Sequence, residues 1–200
     1  MKPVGVLALQ GDFDAHRKAL EDIGELAILV RHPGELATVG ALIIPGGEST
    51  TLIKLMRDTS FVEPLLGFHA AGGPIYGTCA GAILLAARVS RPEQFCFGLI
   101  DIDVERNAYG RQRESFETAM GLPESGSGFA EGAGLELVLI RAPRIVRCGP
   151  AVRVLVRHQG EPVLVRQGRV LAGTFHPELG HDRRVHGYFV EMARRPAVAA

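Results

Sequence analysis

Of the residues in this chain, Cys79 has the sequence neighbours that most clearly indicate a catalytic role. It lies in Gly77-Thr78-Cys79-Ala80-Gly81, which matches the G-x-nucleophile-x-G elbow, where a strand turns sharply into a helix. Flanking glycines avoid the Cβ clashes that would block so tight a turn. The thiol is then presented at a helix N-terminus, where unpaired N–H groups and the helix dipole favour the thiolate. We therefore predict an activated sulfur nucleophile; the alternative is an inert buried thiol, the commonest state of a free cysteine.

His176 and Glu178 are the best candidates for a base and for the group that orients it. Both follow the apolar segment Val170–Gly173, and Pro177 between them biases His176 toward an extended backbone. Parallel α/β sheets place their sites at such strand ends. A cysteine nucleophile needs a base within hydrogen-bond reach and an orienting group behind that base. The three residues therefore predict a catalytic triad, although a histidine taken alone is more often structural.

A glycine pair supplies candidate donors for an oxyanion site. Gly46 and Gly47 directly follow the apolar segment Ala41–Ile44 and precede Glu48-Ser49. Two glycines let the backbone approach a substrate closely, and their N–H groups can point at a developing negative charge. The N–H of Ala80, next to the nucleophile, is the natural second donor. We predict an oxyanion hole formed by Gly47 and Ala80; the alternative is a tight turn followed by a helix cap.

The first half of the chain alternates between strand-like and helix-like segments, which predicts a mostly parallel sheet covered by helices on both faces. The predicted strands are Val4–Leu9, Ala27–Val30, Ala41–Ile44 and Ile75–Gly77, and the predicted helices are Phe13–Ile23, Thr50–Met56 and Phe61–Ala71. The active-site candidates therefore lie where predicted strands end.

The second half carries closely spaced strand-like segments, which predict antiparallel strands appended to the parallel core. They are Ile100–Val104, Leu135–Ile140, Val152–His158, Pro162–Val165 and Val170–Thr174, before a final helix from about Asp182 to Arg194. Residues 118–134 contain five glycines and are predicted to form a mobile surface loop. We expect residues 1–200 to form a single domain.

Bulk composition excludes several classes of function. Lys+Arg and Asp+Glu each total 22, so the zero net charge argues against nucleic-acid or anionic-membrane partners held by bulk electrostatics. The apolar segment Val4–Leu9 is too short for an export signal or a membrane span. Three cysteines without a CxxC pair predict a reducing cytoplasmic location. We predict no metal and no cofactor, and we predict surface or packing roles for the histidines without ligand spacing. These are His16, His32, His69, His158, His181 and His186.

Several motifs together resemble those of the class I (triad-type) glutamine amidotransferases. Among these, the chain is most similar to the glutaminase subunits of pyridoxal 5′-phosphate synthases. A short elbow alone would be weak support, but the matching segments run nearly from end to end of the chain. They are Gly5–Gly11, Leu42–Thr51, Tyr76–Gly81, Val104–Gln112, Ile140–Pro143 and Phe175–Leu179.

The resemblance implies a three-layer, flavodoxin-like α/β sandwich and a set of roles. Cys79 would attack the side-chain amide of L-glutamine, His176 would activate the thiol and protonate the departing ammonia, and Glu178 would orient His176. Ammonia would pass to a separate synthase subunit in a large hetero-oligomer that builds pyridoxal 5′-phosphate from a pentose phosphate and a triose phosphate. The glutamine-binding residues implied are Gly47, Glu48, Ser49, Arg106, Ile140 and Arg141, and those that respond to docking are Gln10 and Gly46. Where the family usually carries a glutamate, this chain has Ala15, on the helix expected to face the partner.

Two other classes of function remain open at the level of sequence. A cysteine peptidase or DJ-1-like hydrolase also places cysteine on an elbow, but lacks the Gly-Gly-Glu-Ser segment and the distant His-Pro-Glu. A non-catalytic subunit could bind glutamine without turning it over. Protection of the Cys79 thiol from alkylation by glutamine would separate a working pocket from a decayed one.

Overall fold

The computed structural model describes residues 2–106, 116–130 and 132–196, and for residues 116 and 117 it describes the backbone only. Its strands are β1 (Val4–Leu7), β2 (Ala27–Val30), β3 (Ala41–Ile44), β4 (Ile75–Thr78), β5 (Ala86–Ser90), β6 (Ile100–Glu105), β7 (Phe116–Pro123), β8 (Leu135–Ile140), β9 (Arg144–Cys148), β10 (Arg153–His158), β11 (Glu161–Gln167) and β12 (Val170–Gly173). Its α-helices are α1 (Phe13–Glu21), α2 (Ser49–Asp58), α3 (Val62–Ala70), α4 (Ala80–Leu85) and α5 (Arg184–Arg194), and a 3₁₀ helix covers Pro33–Thr38.

Nine strands form the central sheet in the order β2-β1-β3-β4-β12-β11-β10-β7-β8. The first five of these pair in parallel, and the order 2-1-3-4 is that of flavodoxin-like folds. The strands from β11 to β8 pair antiparallel and extend the same sheet. A second sheet has the order β5-β6-β9. The prediction of a parallel core with an antiparallel extension is therefore confirmed, but two segments assigned to the extension lie elsewhere. β12 pairs in parallel with β4 within the core, and β6 belongs to the second sheet.

Two apolar clusters, one on each face of the sheet, produce the three layers. Successive residues of a strand point to opposite faces, so Ile75 of β4 joins one cluster and Tyr76 joins the other. The first cluster contains residues of α2, α3 and α4, and the second contains residues of α1 and α5. Burial on both faces explains why the parallel strands are apolar throughout instead of alternating.

The prediction of a mobile loop at 118–134 was wrong for its first part, because residues 118–123 belong to β7. This strand pairs with β8 over six residues, ending at Gly121 opposite Leu135. A Cβ added at Gly121 would lie 2.6 Å from Val156 Cγ1 and 3.0 Å from Leu137 Cδ1. This glycine therefore permits close packing between strands and does not mark a flexible segment. Residues 124–130 and 132–134 do form turns and irregular structure, as expected.

The parallel order brings the candidate residues to one edge of the sheet. β1, β3, β4 and β12 are consecutive neighbours, so their carboxyl ends lie side by side. The chain segments that leave these ends begin at residues 8, 45, 79 and 174, and each carries a predicted site residue within a few positions. This is the edge at which open α/β sheets bind ligands. None of the helices within the described ranges is long and apolar enough to cross a membrane.

Candidate active site

Cys79 occupies a strained elbow between β4 and α4. Its backbone angles are φ 46° and ψ −102°, in the region that favours glycine, and its N–H donates to the carbonyl of Gly173 at 2.8 Å. A Cβ on Gly77 would lie 2.5 Å from the backbone of Gly81, and one on Gly81 would overlap the carbonyl of Ile44. Close backbone approach therefore requires both glycines of the motif. Non-glycine residues keep such a conformation only where the surrounding structure enforces it, typically at functional sites.

His176 and Glu178 lie beside this elbow on the segment that follows β12. The His176 backbone N–H donates to the carbonyl of Val138 at 2.8 Å, which fixes the segment against β8. The side chains pair through His176 Nδ1 and Glu178 Oε1 at 2.8 Å, and both residues are buried. Glu178 thereby holds the ring so that its other nitrogen is directed away from the carboxylate, as the sequence predicted.

Cys79 lies beside His176: both side chains line one cavity, and a Cβ built on Gly46 would meet His176 Cε1 and lie 3.3 Å from Cys79 Cβ. Burial opposes a charged imidazole, but the interactions of His176 with Cys79 and Glu178 outweigh it and raise the pKa of His176 to about 10. Burial also raises the pKa of the Glu178 carboxyl, but His16 and His176 beside it outweigh this and lower the pKa. The imidazole therefore holds its proton at neutral pH, between a sulfur and a carboxylate. The roles of the three residues as nucleophile, base and orienting acid stay a prediction, one that this arrangement suits.

A cavity of about 170 Å³ opens over Cys79 and His176. All six residues predicted to hold glutamine line its wall, although they come from three separate segments of the chain. The lining residues are Asp12, Gly47, Glu48, Ser49, Cys79, Ile83, Arg106, Ile140, Arg141, Pro143 and His176. Glu178 lies behind His176 and does not reach the cavity. The structure thus brings the predicted nucleophile, base and binding residues into one site.

Glu48 and Arg106 form a charged pair on this wall. Arg106 Nη2 donates to Glu48 Oε1 at 3.1 Å, and the same oxygen caps α2 by accepting from the Thr50 N–H at 3.3 Å. The helix-cap alternative for Glu48 is therefore correct, and it coexists with a place in the pocket. Arg106 Nη1 is buried and has no hydrogen-bond partner among the residues that the structure describes. The Ser49 hydroxyl donates to Gln94 Oε1 at 2.9 Å, so it is held at the base of the wall.

Gly46, Gly47 and Gln10 pack together at the end of β3. A Cβ on Gly46 would overlap His176 Cε1 and lie 3.3 Å from Cys79 Cβ, so only glycine fits there. Gly47 has a φ of 140°, and a Cβ on it would lie 2.5 Å from Gln10 Oε1. The Glu48 N–H donates to that same Gln10 oxygen at 3.1 Å. The Gln10 side chain therefore contacts the peptide segment predicted to carry an oxyanion donor.

Ala80 is the first residue of α4, so its N–H belongs to the helical turn that lacks intrahelical partners. It follows Cys79 directly and lies at the positive end of the helix dipole. Gly47 and Cys79 line the cavity, whereas Ala80 is not one of its lining residues. Their joint role as an oxyanion hole stays a prediction.

Four polar residues of the site were not identified from the sequence. His16 and Thr78 lie behind Glu178 in a buried network that also includes His186, and Asp12 lines the cavity. We predicted surface or packing roles for His16 and His186, but both are fully buried and hydrogen-bonded to one another at 2.9 Å. Their partners lie 62 to 170 residues away along the chain, so no local spacing indicates the contacts.

Three side chains of the site lie close enough together to be considered as ligands of a cation. One ligand atom from each of Asp12, His176 and Glu178 lies within 4.8 Å of the others. His176 Nδ1 is already hydrogen-bonded to Glu178 Oε1. The absence of a metal site therefore stays a prediction that this cluster does not change.

Comparisons with known protein families and proteins agree with the geometry of this site. The family model described as the SNO glutamine amidotransferase family matches residues 6–195. The protein named pyridoxal 5′-phosphate synthase subunit PdxT from Koribacter versatilis is 52% identical over 193 residues, covering 96% of this chain and 95% of that protein. The protein of the same name from Acidothermus cellulolyticus is 52% identical over 201 residues, covering 97% of this chain and 95% of that protein.

Solved structures agree. One described as a crystal structure of glutamine amidotransferase has a TM-score of 0.86 and 47% identity, covering 95% of this chain and 98% of that chain. The structure of PurLQS from Thermotoga maritima has a TM-score of 0.74 at 17% identity, covering 96% and 99%, and so agrees in fold alone. The family match over nearly the whole length, together with these relatives, identifies the chain as a member of the SNO glutamine amidotransferase family.

Proposed function

We propose that this protein is the glutaminase subunit of a pyridoxal 5′-phosphate synthase. It hydrolyses L-glutamine to L-glutamate and ammonia, and it delivers the ammonia to a separate synthase subunit within a hetero-oligomer. Family membership and the names of relatives at about half identity support this assignment. The single observation that carries the chemistry is that Cys79 and His176 line one cavity side by side, with Glu178 hydrogen-bonded to His176 Nδ1 behind it.

In the first step the Cys79 thiolate attacks the side-chain amide carbon of glutamine. The amide oxygen gains the negative charge, and the N–H groups of Gly47 and Ala80 stabilise it. The tetrahedral intermediate collapses as the C–N bond breaks, and His176 donates its proton to the departing nitrogen. The products of this step are ammonia and a glutamyl thioester on Cys79.

In the second step a water molecule attacks the thioester carbon. The imidazole of His176, now neutral, accepts the proton of that water, and the C–S bond breaks as glutamate forms. The Cys79 thiolate and the protonated His176 are restored together. Glu178 keeps the ring in one orientation throughout and stabilises the imidazolium, which is the role of the acid in a triad.

The charged pair on the cavity wall suits the other end of an amino acid. Arg106 Nη1 is a buried donor without a partner among the described residues, and a guanidinium binds a carboxylate through two parallel hydrogen bonds. Glu48 Oε1, 3.1 Å from Arg106 Nη2, offers an acceptor for the α-ammonium. Ile140 and Arg141 line the same cavity, and Arg141 holds a φ of 44° there. We assign these groups to recognition of L-glutamine.

We further propose that the protein works in the cytoplasm and that Gln10 and Gly46 respond when the synthase docks. Its three cysteines are free, as expected for a reducing compartment. Gln10 touches Gly47 and accepts from the Glu48 N–H, so a shift of the Gln10 side chain would move the peptide that carries an oxyanion donor. Basal activity is therefore expected to be low until a partner fixes this segment.

Glutamate release from L-glutamine tests the proposal directly. The purified protein is assayed alone and with the cognate synthase subunit, and Cys79→Ala serves as the control. We expect strong release only with the partner and none with the variant. If folded protein and active synthase release no glutamate, the glutaminase assignment fails, and a DJ-1-like hydrolase or a non-catalytic glutamine-binding subunit becomes the better account.

A further inference from the structure

His16 on α1 is a fully buried histidine that contacts two parts of the candidate site at once. Its Nε2 lies 3.1 Å from Thr78 Oγ1 and 3.3 Å from Glu178 Oε2. Its Nδ1 lies 2.9 Å from His186 Nε2 on α5. Thr78 immediately precedes the nucleophile, so one imidazole joins the strand that carries Cys79 to the carboxylate behind His176.

The proton positions in this network follow from its contacts. Burial lowers the pKa of His16, and burial together with the nearby His16 lowers the pKa of His186 to about 3, so both rings are neutral at pH 7. If His16 Nδ1 carried the proton, the His186 proton would lie on Nδ1, which is buried and has no partner among the described residues. His16 Nε2 would then also direct a lone pair at a carboxylate. The other arrangement removes the conflict with the carboxylate and leaves a lone pair on His186 Nδ1 instead of an unpaired N–H: His186 Nε2–H donates to His16, and His16 Nε2–H faces Thr78 and Glu178.

The charge and orientation of the Glu178 carboxylate depend on the Nε2–H of His16. Its Oε1 accepts from His176, but its Oε2 is buried and has no well-aligned hydrogen bond to any described residue. His16 Nε2 lies 3.3 Å from Oε2. Without that N–H the buried carboxylate would lose a donor, which would favour rotation or protonation of the carboxyl, and either would weaken its contact with His176.

We propose that His16 is a positioning residue for the glutaminase reaction. It holds the Glu178 carboxylate ionised and oriented, and it ties that carboxylate to the strand end that presents Cys79. This inference rests on the proposed function for the assignment of the triad. It adds a residue that touches neither substrate nor nucleophile and acts only through Glu178 and Thr78.

Several charged and titratable groups face the two buried rings. Glu178, His176 and Asp12 act on His16, and the ring of Tyr76 lies edge-on to it at 6.5 Å. His16, Glu178 and Arg183 act on His186. Both rings nevertheless stay neutral near and above neutral pH because burial dominates. A pH effect of replacing His16 therefore reports on the Cys79–His176 pair and not on titration at position 16.

The test compares His16→Gln with His16→Asn. The glutamine amide reaches the place of Nε2 and keeps N–H donors toward Thr78 and Glu178, whereas the asparagine amide reaches only the place of Nδ1, toward His186. With the synthase subunit present, we expect kcat for glutamate release to fall about 10–100-fold in His16→Asn. This is the usual scale for losing a residue that supports a functional group without touching the substrate. We expect a fall under about 5-fold in His16→Gln, with KM for glutamine little changed in both.

Alkylation of Cys79 by iodoacetamide across pH 6–8 provides a second readout, which needs neither substrate nor partner. We expect His16→Asn to shift the rate profile to higher pH and His16→Gln to match the wild type. Leu20→Val, a buried change one turn along α1, is the matched control and should lower the thermal midpoint without moving either readout. Equal kcat and equal alkylation profiles in the two His16 variants would overturn the proposal. If the wild type releases no glutamate, the proposed function fails, yet the alkylation profiles still decide the role of His16.

Discussion

Replacing His186 by glutamine is expected to make folding less sensitive to acid. His186 is fully buried, and its folded-state pKa of about 3 lies below the value of 6.5 for an exposed histidine. Between these two values the unfolded chain binds a proton that the folded chain does not. The stability that comes from keeping this ring neutral is therefore present above pH 6.5 and is lost as the pH falls below it. Glutamine keeps an amide donor toward His16 but does not titrate.

The magnitude follows from linkage. With an unfolded pKa of 6.5, one buried neutral histidine loses about 2 kcal/mol of unfolding free energy between pH 7 and pH 5. Urea unfolding followed by circular dichroism at both pH values, at one ionic strength, measures the free energies of wild type and His186→Gln. The contributions of His16 and of the carboxylates are common to both proteins and cancel in the difference. We expect the stability advantage of the wild type over the variant to shrink by about 2 kcal/mol on acidification, which is a urea midpoint shift of roughly 1 M.

A difference that stays constant within about 0.5 kcal/mol between the two pH values would refute the reasoning. It would mean that His186 is reached by solvent or is already charged at pH 7. The assignment of protons around His16 would then fail with it, because that assignment requires both rings to be neutral.

Three further predictions concern the cavity. Gly46→Ala should lower glutamate release at least about 100-fold with unchanged circular dichroism, because its Cβ would displace His176 from Cys79; full activity would contradict this packing. Arg106→Gln should raise KM for glutamine about 10-fold or more and leave kcat less affected, since it removes a charged donor; an effect on kcat alone would contradict a binding role. His176 stays protonated up to its pKa of about 10, so His176→Ala removes a positive charge beside Cys79 and should slow alkylation of that thiol by iodoacetamide at pH 7 about 10-fold or more. Equal alkylation rates in the wild type and the variant would contradict this charge.

The parallel half of the fold, and the meeting of the three predicted triad residues at its edge, were predictable because their signals are local. Val4–Leu7, Ala41–Ile44 and Ile75–Thr78 are continuous apolar segments, as strands buried on both faces must be, and each leads into a glycine-containing turn. The elbow around Cys79 is likewise encoded by two glycines within five residues. Once such strands are parallel neighbours, their ends meet at one edge, and the separation of Cys79 from His176 along the chain does not matter.

The antiparallel half was less predictable because its signals are not local. Gly121 counted as a flexibility signal when residues 118–134 were predicted to form a loop. In the structure it is a contact signal, set by Val156 and Leu137 on the two neighbouring strands. A glycine that relieves crowding across a sheet cannot be distinguished in sequence from one that frees a loop, since the difference lies in residues more than ten positions away. The contacts of His16 could not be predicted for the same reason, because its partners come from β4, α5 and the segment after β12.

The segment from Gln10 to His16 joins the two halves of the site. At its start, Gln10 accepts from the Glu48 N–H and packs on Gly47, which belongs to the predicted oxyanion wall. On the first turn of α1, His16 contacts Thr78 and Glu178, which belong to the nucleophile strand and the predicted triad. Only the bend at Gly11 and Asp12 and the start of α1 separate the two contacts, so a displacement of α1 by a docked partner would act on both. Gating at the oxyanion peptide and alignment of the triad are therefore expected to change in one step, and a partner that contacts only α1 would be sufficient to drive it.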